Sequence, residues 1–501
     1  MSANPNASPT VVPDANLPWY RGLTKYHWFI LMVCWMGWFF DTMDQQLFVL
    51  ARAPAMRELT LVATGEVTPE GAKVYAGATP DTAKSYGTLV GWLKGIGIGK
   101  NWPSEPDPKA VVSLFGGLAT AILMLGWATG GIVFGILGDR WGRAKTLILA
   151  IFFYSIFTGL SALSVSWVDF SLYRFLTGMG VGGTFGAAVS FVAEVMPGRS
   201  RAFALGFLQS LAAVGNMSAA GISFALPPGI EAYGVSGWRL LFVVGILPAL
   251  LVLLVMRHLK EPESWVRAKE AEKRGEAHHK GKGMGSMKEL FGDGRWRRNV
   301  VVGIILGLAG IMGLWGIGFW LPELVREVVK TNADWYVSLA MLLFNAGAAV
   351  GTYLFAMLMA RVGRRPAFAM IFVLALVSVF GVFGFMTQAS QVWWMAPLLG
   401  IGTLTVFGGY SIYFPELFPT RLRASGVGFC YNTARYVAAT APFTLGLLTT
   451  VYVDWHPTIL SSLGSIDSPF RYAAFTVSGV FVVGLLVLLF APETKGKPLP
   501  E

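Results

Sequence analysis

The sequence predicts an all-α membrane protein of twelve transmembrane helices in two six-helix, pseudo-symmetric halves. Composition is the first reason. Of 501 residues, 54% are hydrophobic and 13% charged, and 60 are glycine; mean hydropathy is +0.57. Soluble domains do not have such a balance. The second reason is a series of apolar runs, each near the roughly 20 residues that span a hydrocarbon core. The third is an internal repeat. "EVMPGRSRA" (194–202) returns as "ELFPTRLRA" (416–424), sharing E-x-x-P-x-R-x-R-A. "LGDRWGRAK" (137–145) has a relative in "MARVGRRPA" (359–367), and "EPES" (261–264) in "APET" (491–494).

The predicted helices 1 to 12 lie near 27–51, 111–137, 146–165, 168–195, 202–226, 238–257, 299–324, 335–360, 367–387, 392–416, 425–450 and 471–491. Lys and Arg crowd the short loops of one face, in "GDRWGRAK", "PGRSRA", "RVGRRP", "PTRLRA" and "PETKGKPLP", and the long stretch 258–298. The opposite loops "SWVD", "PPGIEAYGVSG" and 451–470 carry none. The bias predicts that both termini and the basic face are cytoplasmic. The expected plan is an N-terminal tail (1–26), a first half (27–257) with an outer loop (52–110), a linker (258–298), a second half (299–491) and a C-terminal tail (492–501). "YGTLVGWLKGIGI" (86–98) is too short to span and holds Lys94, so it is expected outside the membrane. "ESWVRAKEAEKRGEA" (263–277) reads as a polar helix with acid–base pairs.

The net charge of +11 is then a topology signal, and no nucleic-acid partner is expected. Cys34 and Cys430 both lie in apolar runs, which argues against a disulfide scaffold or cysteine zinc site. "HHK" (278–280) reads as a solvated loop, so no metal is expected. The polar start, "MSANPNASPTVVPDANLP", lacks the pattern of a cleavable signal. There is no G-x-x-x-x-G-K-[ST] and no nucleophile–base constellation, so neither an ATP-driven pump nor an enzyme is expected, and no cofactor. "GVGGTFG" in helix 4 reads as a packing run.

On these residues the chain resembles the major facilitator superfamily over almost its whole length. "GILGDRWGRAK" (135–145) is similar to its G-x-L-x-D-R-x-G-R-x-K signature, and "RFLTGMGVGG" (174–183) to its R-x-x-x-G-x-x-x-G pattern. "PES" and "PETKG" resemble the sugar-porter branch, as does "QSLAAVGN" (209–216). Helices 7 and 10 lack that branch's Q-Q-x-S-G and G-P-x-x-W. Arg435 with Pro442 in helix 11, and D-x-x-D in helix 1, resemble aromatic- and organic-acid:proton symporters, although Thr42 replaces a glycine. The resemblance implies alternating access about a central site, in a cell membrane.

A charge at mid-bilayer is costly and usually faces a cavity or pairs. Asp41 and Asp44 in helix 1, Arg174 in helix 4 and Arg435 in helix 11 are such charges. Three-residue spacing puts the two acids on one face, and Asp44 and Arg174 fall at matching depth. Either the acids carry a proton, as the resemblance implies, or they end the apolar span at the outer interface. Arg174 either tunes that proton or pins the bundle. Arg435 either binds an anion or pairs with a helix 1 acid. Gln209, Asn216, Asn345, Tyr410, Tyr431 and Asn432 are candidate cavity residues or interhelical contacts; Trp315 and Trp320 either stack on a ring or pack. The resemblance implies that Gly135, Asp139, Arg140, Gly142, Arg143, Glu194, Arg199 and Arg201, with Glu416, Arg421 and Arg423 of the repeat, belong to a gate on the basic face. Ala360 stands where a second Asp139 would fall, so the gate is expected to be lopsided. The expected activity is proton-coupled symport of a small organic anion by a monomer in the lipid bilayer. The alternatives are a sugar or polyol transporter and a non-transporting sensor.

Overall fold

A computed structural model describes residues 19–67, 73–95, 104–228, 231–232, 234–250, 258–274, 283–329, 331, 333–439, 448 and 468–500. The expectations for 1–18, for "HHK" and for most of 440–467 lie outside the described residues. Every predicted span is found, in whole or in part, as helix. In order, the first half is built from α1 (Lys25–Thr60), α2 (Pro80–Gly95), α3 (Pro108–Trp141), α4 (Arg143–Ser161), α5 (Trp167–Val195), α6 (Gly198–Ser210), α7 (Ala212–Ala225) and α8 (Gly237–Val244). The linker holds α9 (Glu263–Lys273) and α10 (Met287–Gly292). The second half follows with α11 (Gly294–Gly316), α12 (Leu321–Val328), α13 (Ala333–Val362), α14 (Arg364–Phe385), α15 (Val392–Leu404), α16 (Val406–Glu416), α17 (Arg423–Ala438) and α18 (Pro469–Val487).

Among the described residues, the fifth, seventh and tenth spans are broken where the sequence suggested continuous helix. The fifth breaks at Leu211, between α6 and α7. The seventh breaks at Ile317, with a 3₁₀ turn before α12. The tenth breaks at Thr405, between α15 and α16. Within a bilayer, irregular backbone is tolerated only where protein or a cavity supplies partners. At the first break Thr42 Oγ1 donates to the Ala212 carbonyl at 3.0 Å. Hydropathy does not register these breaks, because the flanking residues stay apolar.

Helices α3 and α5 approach through facing glycines. A side chain at Gly126, Gly130, Gly178 or Gly182 would strike the backbone of the opposite helix. The "GVGGTFG" run is thus a contact surface of the small-residue kind.

The described residues of 52–110, expected as an outer loop, are structured. The first helix continues nine residues past its predicted end, to Thr60. An antiparallel hairpin (β1, Leu61–Val67; β2, Lys73–Ala78) and α2 follow. Leu59, Leu61, Tyr86, Val90 and Leu93 share an apolar cluster with Val111 and Leu114 of α3. Glu58 fastens this cap to the first turn of α8, accepting from Trp238 Nε1 at 2.8 Å and pairing with Arg239 Nη2 at 2.8 Å. The alternating polar and apolar residues of this segment are too short-ranged to register as spans, yet long enough to fold against the helix ends.

Candidate functional site

A cavity of about 140 Å³ lies where the two halves meet. Gln209, Ser210 and Ala212 at the first helix break line it, as do Leu314 and Trp315 near the second and Leu404 beside the third. From the first half, Trp38, Thr42, Gln45, Trp127 and Asn216 add to the wall; Asn345, Thr352, Phe407, Tyr431 and Arg435 come from the second. The halves touch here through polar pairs. Asn216 Nδ2 donates to Asn345 Oδ1 at 3.4 Å, and Ser411 Oγ to Gln209 Oε1 at 3.2 Å. Phe185 stacks on Tyr431 across the same junction, with ring centroids 3.6 Å apart.

Arg435 is 2% exposed. Its guanidinium carbon lies 4.0 Å from the Trp127 ring centroid and 4.3 Å from that of Tyr431, so an aromatic ring from each half flanks the cation. Nη1 donates to the Tyr431 carbonyl at 2.8 Å and to Asn432 Oδ1 at 3.1 Å. Nε has no acceptor among the described residues, and neither do the buried indole N–H groups of Trp38 and Trp127 on the same wall. No carboxylate among the described residues lies within 4.0 Å of Arg435. A buried donor without an acceptor is unusual and calls for an explanation; three occur around one cavity.

The two acids are placed differently. Asp41 and Asp44 are both buried in α1. Gln45 Nε2, from the cavity wall, donates to Asp41 Oδ1 at 3.1 Å, while Asp41 Oδ2 has no partner among the described residues. Thr158 Oγ1 donates to Asp44 Oδ1 at 2.8 Å, and Arg174 Nη1 lies 3.9 Å from Asp44 Oδ2. That is an ion pair without a hydrogen bond. Arg174 has its own cradle: Nη2 donates to Ser161 Oγ at 2.6 Å, and the Phe242 ring lies 4.5 Å from its guanidinium. The structure therefore brings together Asp44 with Arg174, and Arg435, Gln209, Asn216, Asn345 and Tyr431 with the cavity. It turns Tyr410 away, its hydroxyl donating to the Leu306 carbonyl. Asn432 is buried beside the cavity and serves Arg435. Trp315 lines the cavity, whereas Trp320 packs on Phe470. Trp38, Trp127 and Gln45 were not singled out from sequence, because tryptophan and glutamine in a span are usually packing or interhelical contacts.

On the basic face the halves are latched. Asp139, at the end of α3, accepts from the backbone N–H groups of Ala424 (3.0 Å) and Ser425 (2.9 Å) and from Ser425 Oγ (2.5 Å). These groups form the first turn of α17, where a helix presents unpaired donors and a positive dipole end. Gly135 keeps the approach open: a side chain there would meet the Ala424 carbonyl oxygen at 2.8 Å. Arg143 Nη1 pairs with Asp139 at 3.0 Å and Nη2 with Glu194 at 2.9 Å; Nη2 also donates to the Thr420 carbonyl of the other half. Arg423 Nη1 joins Glu194 from that half at 2.8 Å. Arg421 pairs with Glu289 of α10 at 2.6 Å. Arg140 and Arg199 lie exposed, and Arg201 is half-buried with Nε unpartnered among the described residues. Arg143 and Arg423 carry cross-half bonds of the latch.

The repeat explains the latch's asymmetry. Arg364 mirrors Arg143 and pairs with Glu416 at 2.6 Å, as Arg143 does with Glu194. Gly142 and Gly363 mirror each other with φ of 119° and 105°, the left-handed region that favours glycine. Ser264 Oγ donates to Glu194 at 3.3 Å and Thr494 Oγ1 to Glu416 at 2.6 Å. Ala360 leaves the second half without an Asp139. The tail acid also departs from the repeat. Glu493 accepts from Arg364 N and Arg365 N, both at 3.0 Å. The equivalent bonds from Ala144 N and Lys145 N go to Glu261, not to Glu263. The cap shifts along the second helix because Pro366, in the place of Lys145, has no N–H. Burial works to raise Glu493, but the backbone N–H groups of Arg364, Arg365, Lys495 and Thr494 hold it below the ordinary carboxylate range.

The chain is similar to transporters of known families. It is 28% identical over 389 residues to the probable 4-methylmuconolactone transporter of Cupriavidus pinatubonensis, covering 77% of this chain and 83% of that one. It is 25% identical over 507 residues to the niacin transporter of Acinetobacter baylyi, covering 97% of each. The fold matches the proton:xylose symporter XylE with a TM-score of 0.67 at 17% identity, over 95% of this chain and 98% of that one. The family model described as Major Facilitator Superfamily matches residues 75–442. The two repeated halves, the latch on one face and the cavity between them accord with that match, and the chain belongs to the major facilitator superfamily, as a multi-pass membrane transporter and not an enzyme.

Proposed function

We propose that this transporter carries a small organic anion together with a proton, by alternating access, with the basic face in the cytoplasm. The observation that carries the reading is the donor-rich wall: Arg435 Nε, Trp38 Nε1 and Trp127 Nε1 are buried without acceptors among the described residues. A permanent cation with no carboxylate within pairing distance among the described residues suits a substrate carboxylate. The names of two relatives, for niacin and 4-methylmuconolactone, denote small ring compounds bearing a carboxylate and support the same class. Asp44 carries the proton. Protonated, it keeps the Thr158 bond, and Arg174 remains held by Ser161 and the Phe242 face. Asp41 links Asp44's neighbourhood to the cavity through Gln45. A second reading, a neutral polyol, is favoured by the amides of Gln45, Gln209, Asn216 and Asn345 on the wall. Binding of an acid and of its primary amide to the purified protein separates the two. The anion reading expects the acid to bind at least about tenfold more tightly, the worth of one charge-assisted bond. Equal binding would sink it.

In this reading the latch is the inner gate. Asp139→Asn keeps the shape but weakens three bonds to α17 and the pair to Arg143. A cysteine placed at Ala349, on the cavity wall, is expected to react with an impermeant maleimide from the basic face at least about fivefold faster in the Asp139→Asn background. That corresponds to about 1 kcal/mol of gate stabilisation lost. An unchanged rate would remove Asp139 from the gate.

A further inference from the structure

A second cavity, of about 680 Å³, lies on the basic face between the first turn of α11 and the C-terminal tail. Its wall holds three cations, Arg295, Arg298 and Lys497, and two acids, Glu416 and Glu493. The acids are already engaged. Glu416 pairs with Arg364 and accepts from Thr494, and Glu493 caps the start of α14. The cations have no acid among the described residues. Arg295 lies over the Trp296 ring at 4.6 Å, and Arg298 donates Nε and Nη2 to the Phe490 carbonyl at 3.0 and 2.7 Å. All three are exposed. The cavity is therefore positive in effect.

The flank of this cavity is apolar and outward-facing. Phe490, whose carbonyl receives Arg298, is 62% exposed and Leu489 is 69% exposed. Val301, three residues after Arg298 and so on the same face of α11, is also exposed. A cationic recess bordering apolar helix faces, at the end of membrane spans, suits an amphipathic anion better than a free one. The tail that forms one wall also reaches the latch: the Pro500 carbonyl accepts from Arg423 Nη2 at 3.3 Å, and Arg423 Nη1 bonds Glu194.

We propose that this cavity binds the phosphate headgroup of an anionic glycerophospholipid through Arg295, Arg298 and Lys497, and that its occupancy holds the tail against the latch. The lipid-binding part does not depend on the transport reading.

The test uses the full-length protein and native mass spectrometry with phosphatidylglycerol or phosphatidylcholine. Wild type is expected to retain phosphatidylglycerol over phosphatidylcholine. Arg295→Gln with Lys497→Gln leaves Arg298 on Phe490 and is expected to lower phosphatidylglycerol retention roughly thirtyfold, the order for two basic residues at an anionic surface. Lys145→Gln with Lys273→Gln, basic residues at a different groove, is expected to leave retention unchanged. Lys497→Glu, a single change on the exposed tail, repeats the test if the double variant does not fold. Wild-type retention in both cavity variants overturns the site. A loss in the control variant equal to that in the cavity variant also overturns it, because the effect is then general surface charge. Inorganic phosphate that raises the melting temperature as phosphatidylglycerol does would assign the cavity to a free anion and overturn the lipid. For the latch, the Ala349→Cys reporter is expected to label more slowly in phosphatidylglycerol than in phosphatidylcholine, and the difference is expected to vanish in the cavity variant. Equal labelling of wild type in both lipids overturns the coupling.

Discussion

An Arg435→Ala protein is expected to bind the transported acid at least about 100-fold more weakly than wild type, while binding of its neutral amide changes little. Each hydrogen bond to a charged group is worth about 1.5–3 kcal/mol, and two such bonds from one guanidinium exceed the roughly 2.7 kcal/mol that 100-fold requires. Truncation also leaves the substrate carboxylate facing Trp127 and Tyr431 without a cation. Arg435→Lys keeps the charge but loses the planar fork between those two rings, so an intermediate affinity is expected. Isothermal titration of the three proteins with acid and amide checks this. Unchanged acid affinity in Arg435→Ala, with an unchanged melting temperature, would remove the anion site.

Replacing Asp44 with asparagine is expected to separate movement from coupling. Asparagine resembles the protonated acid in shape and keeps a partner for Thr158. Alternation can continue, but no proton loads. With a tenfold proton gradient and one proton per anion, wild type is expected to accumulate the anion about tenfold, since each such gradient supplies about 1.4 kcal/mol. Asp44→Asn is expected to reach a ratio of about one while substrate exchange persists. Thermal stability is expected to fall as well, because Arg174 then stays buried beside a neutral partner. Normal accumulation by Asp44→Asn would sink the role given to Asp44.

Much of this arrangement was legible in the sequence, for reasons particular residues make clear. Charges inside apolar runs stand out because the bilayer penalises them, which singled out Asp41, Asp44, Arg174 and Arg435. The repeat of Glu194 and Glu416, each followed by paired arginines, marked the basic face, and Ala360 marked its asymmetry. What the sequence hid is the chemistry of ordinary-looking residues. Trp38 and Trp127 read as packing until both are found to line the cavity with buried N–H groups that have no acceptor among the described residues. The breaks at Leu211, Ile317 and Thr405 leave no mark on hydropathy. Tyr410 looked like a cavity residue, yet its hydroxyl is committed to Leu306. Ser425 and Thr420 joined the latch through a helix start and a carbonyl, which no side-chain motif records. Glu493 caps α14 because Ala491 stands in the place of Glu261, and its cap falls one residue earlier on the helix because Pro366 has no N–H, a backbone consequence of one substitution between the halves.

The most direct measurement is proton movement into proteoliposomes holding the purified protein and a lumenal pH dye, on external addition of carboxylic acids, their amides and sugars. Lumenal acidification is expected with particular acids, beyond that of empty liposomes at the same acid concentration, absent with amides and sugars and abolished by Asp44→Asn. Uptake of an acid without acidification beyond the empty-liposome rate, or acidification driven by sugars, would contradict proton-coupled symport of an organic anion.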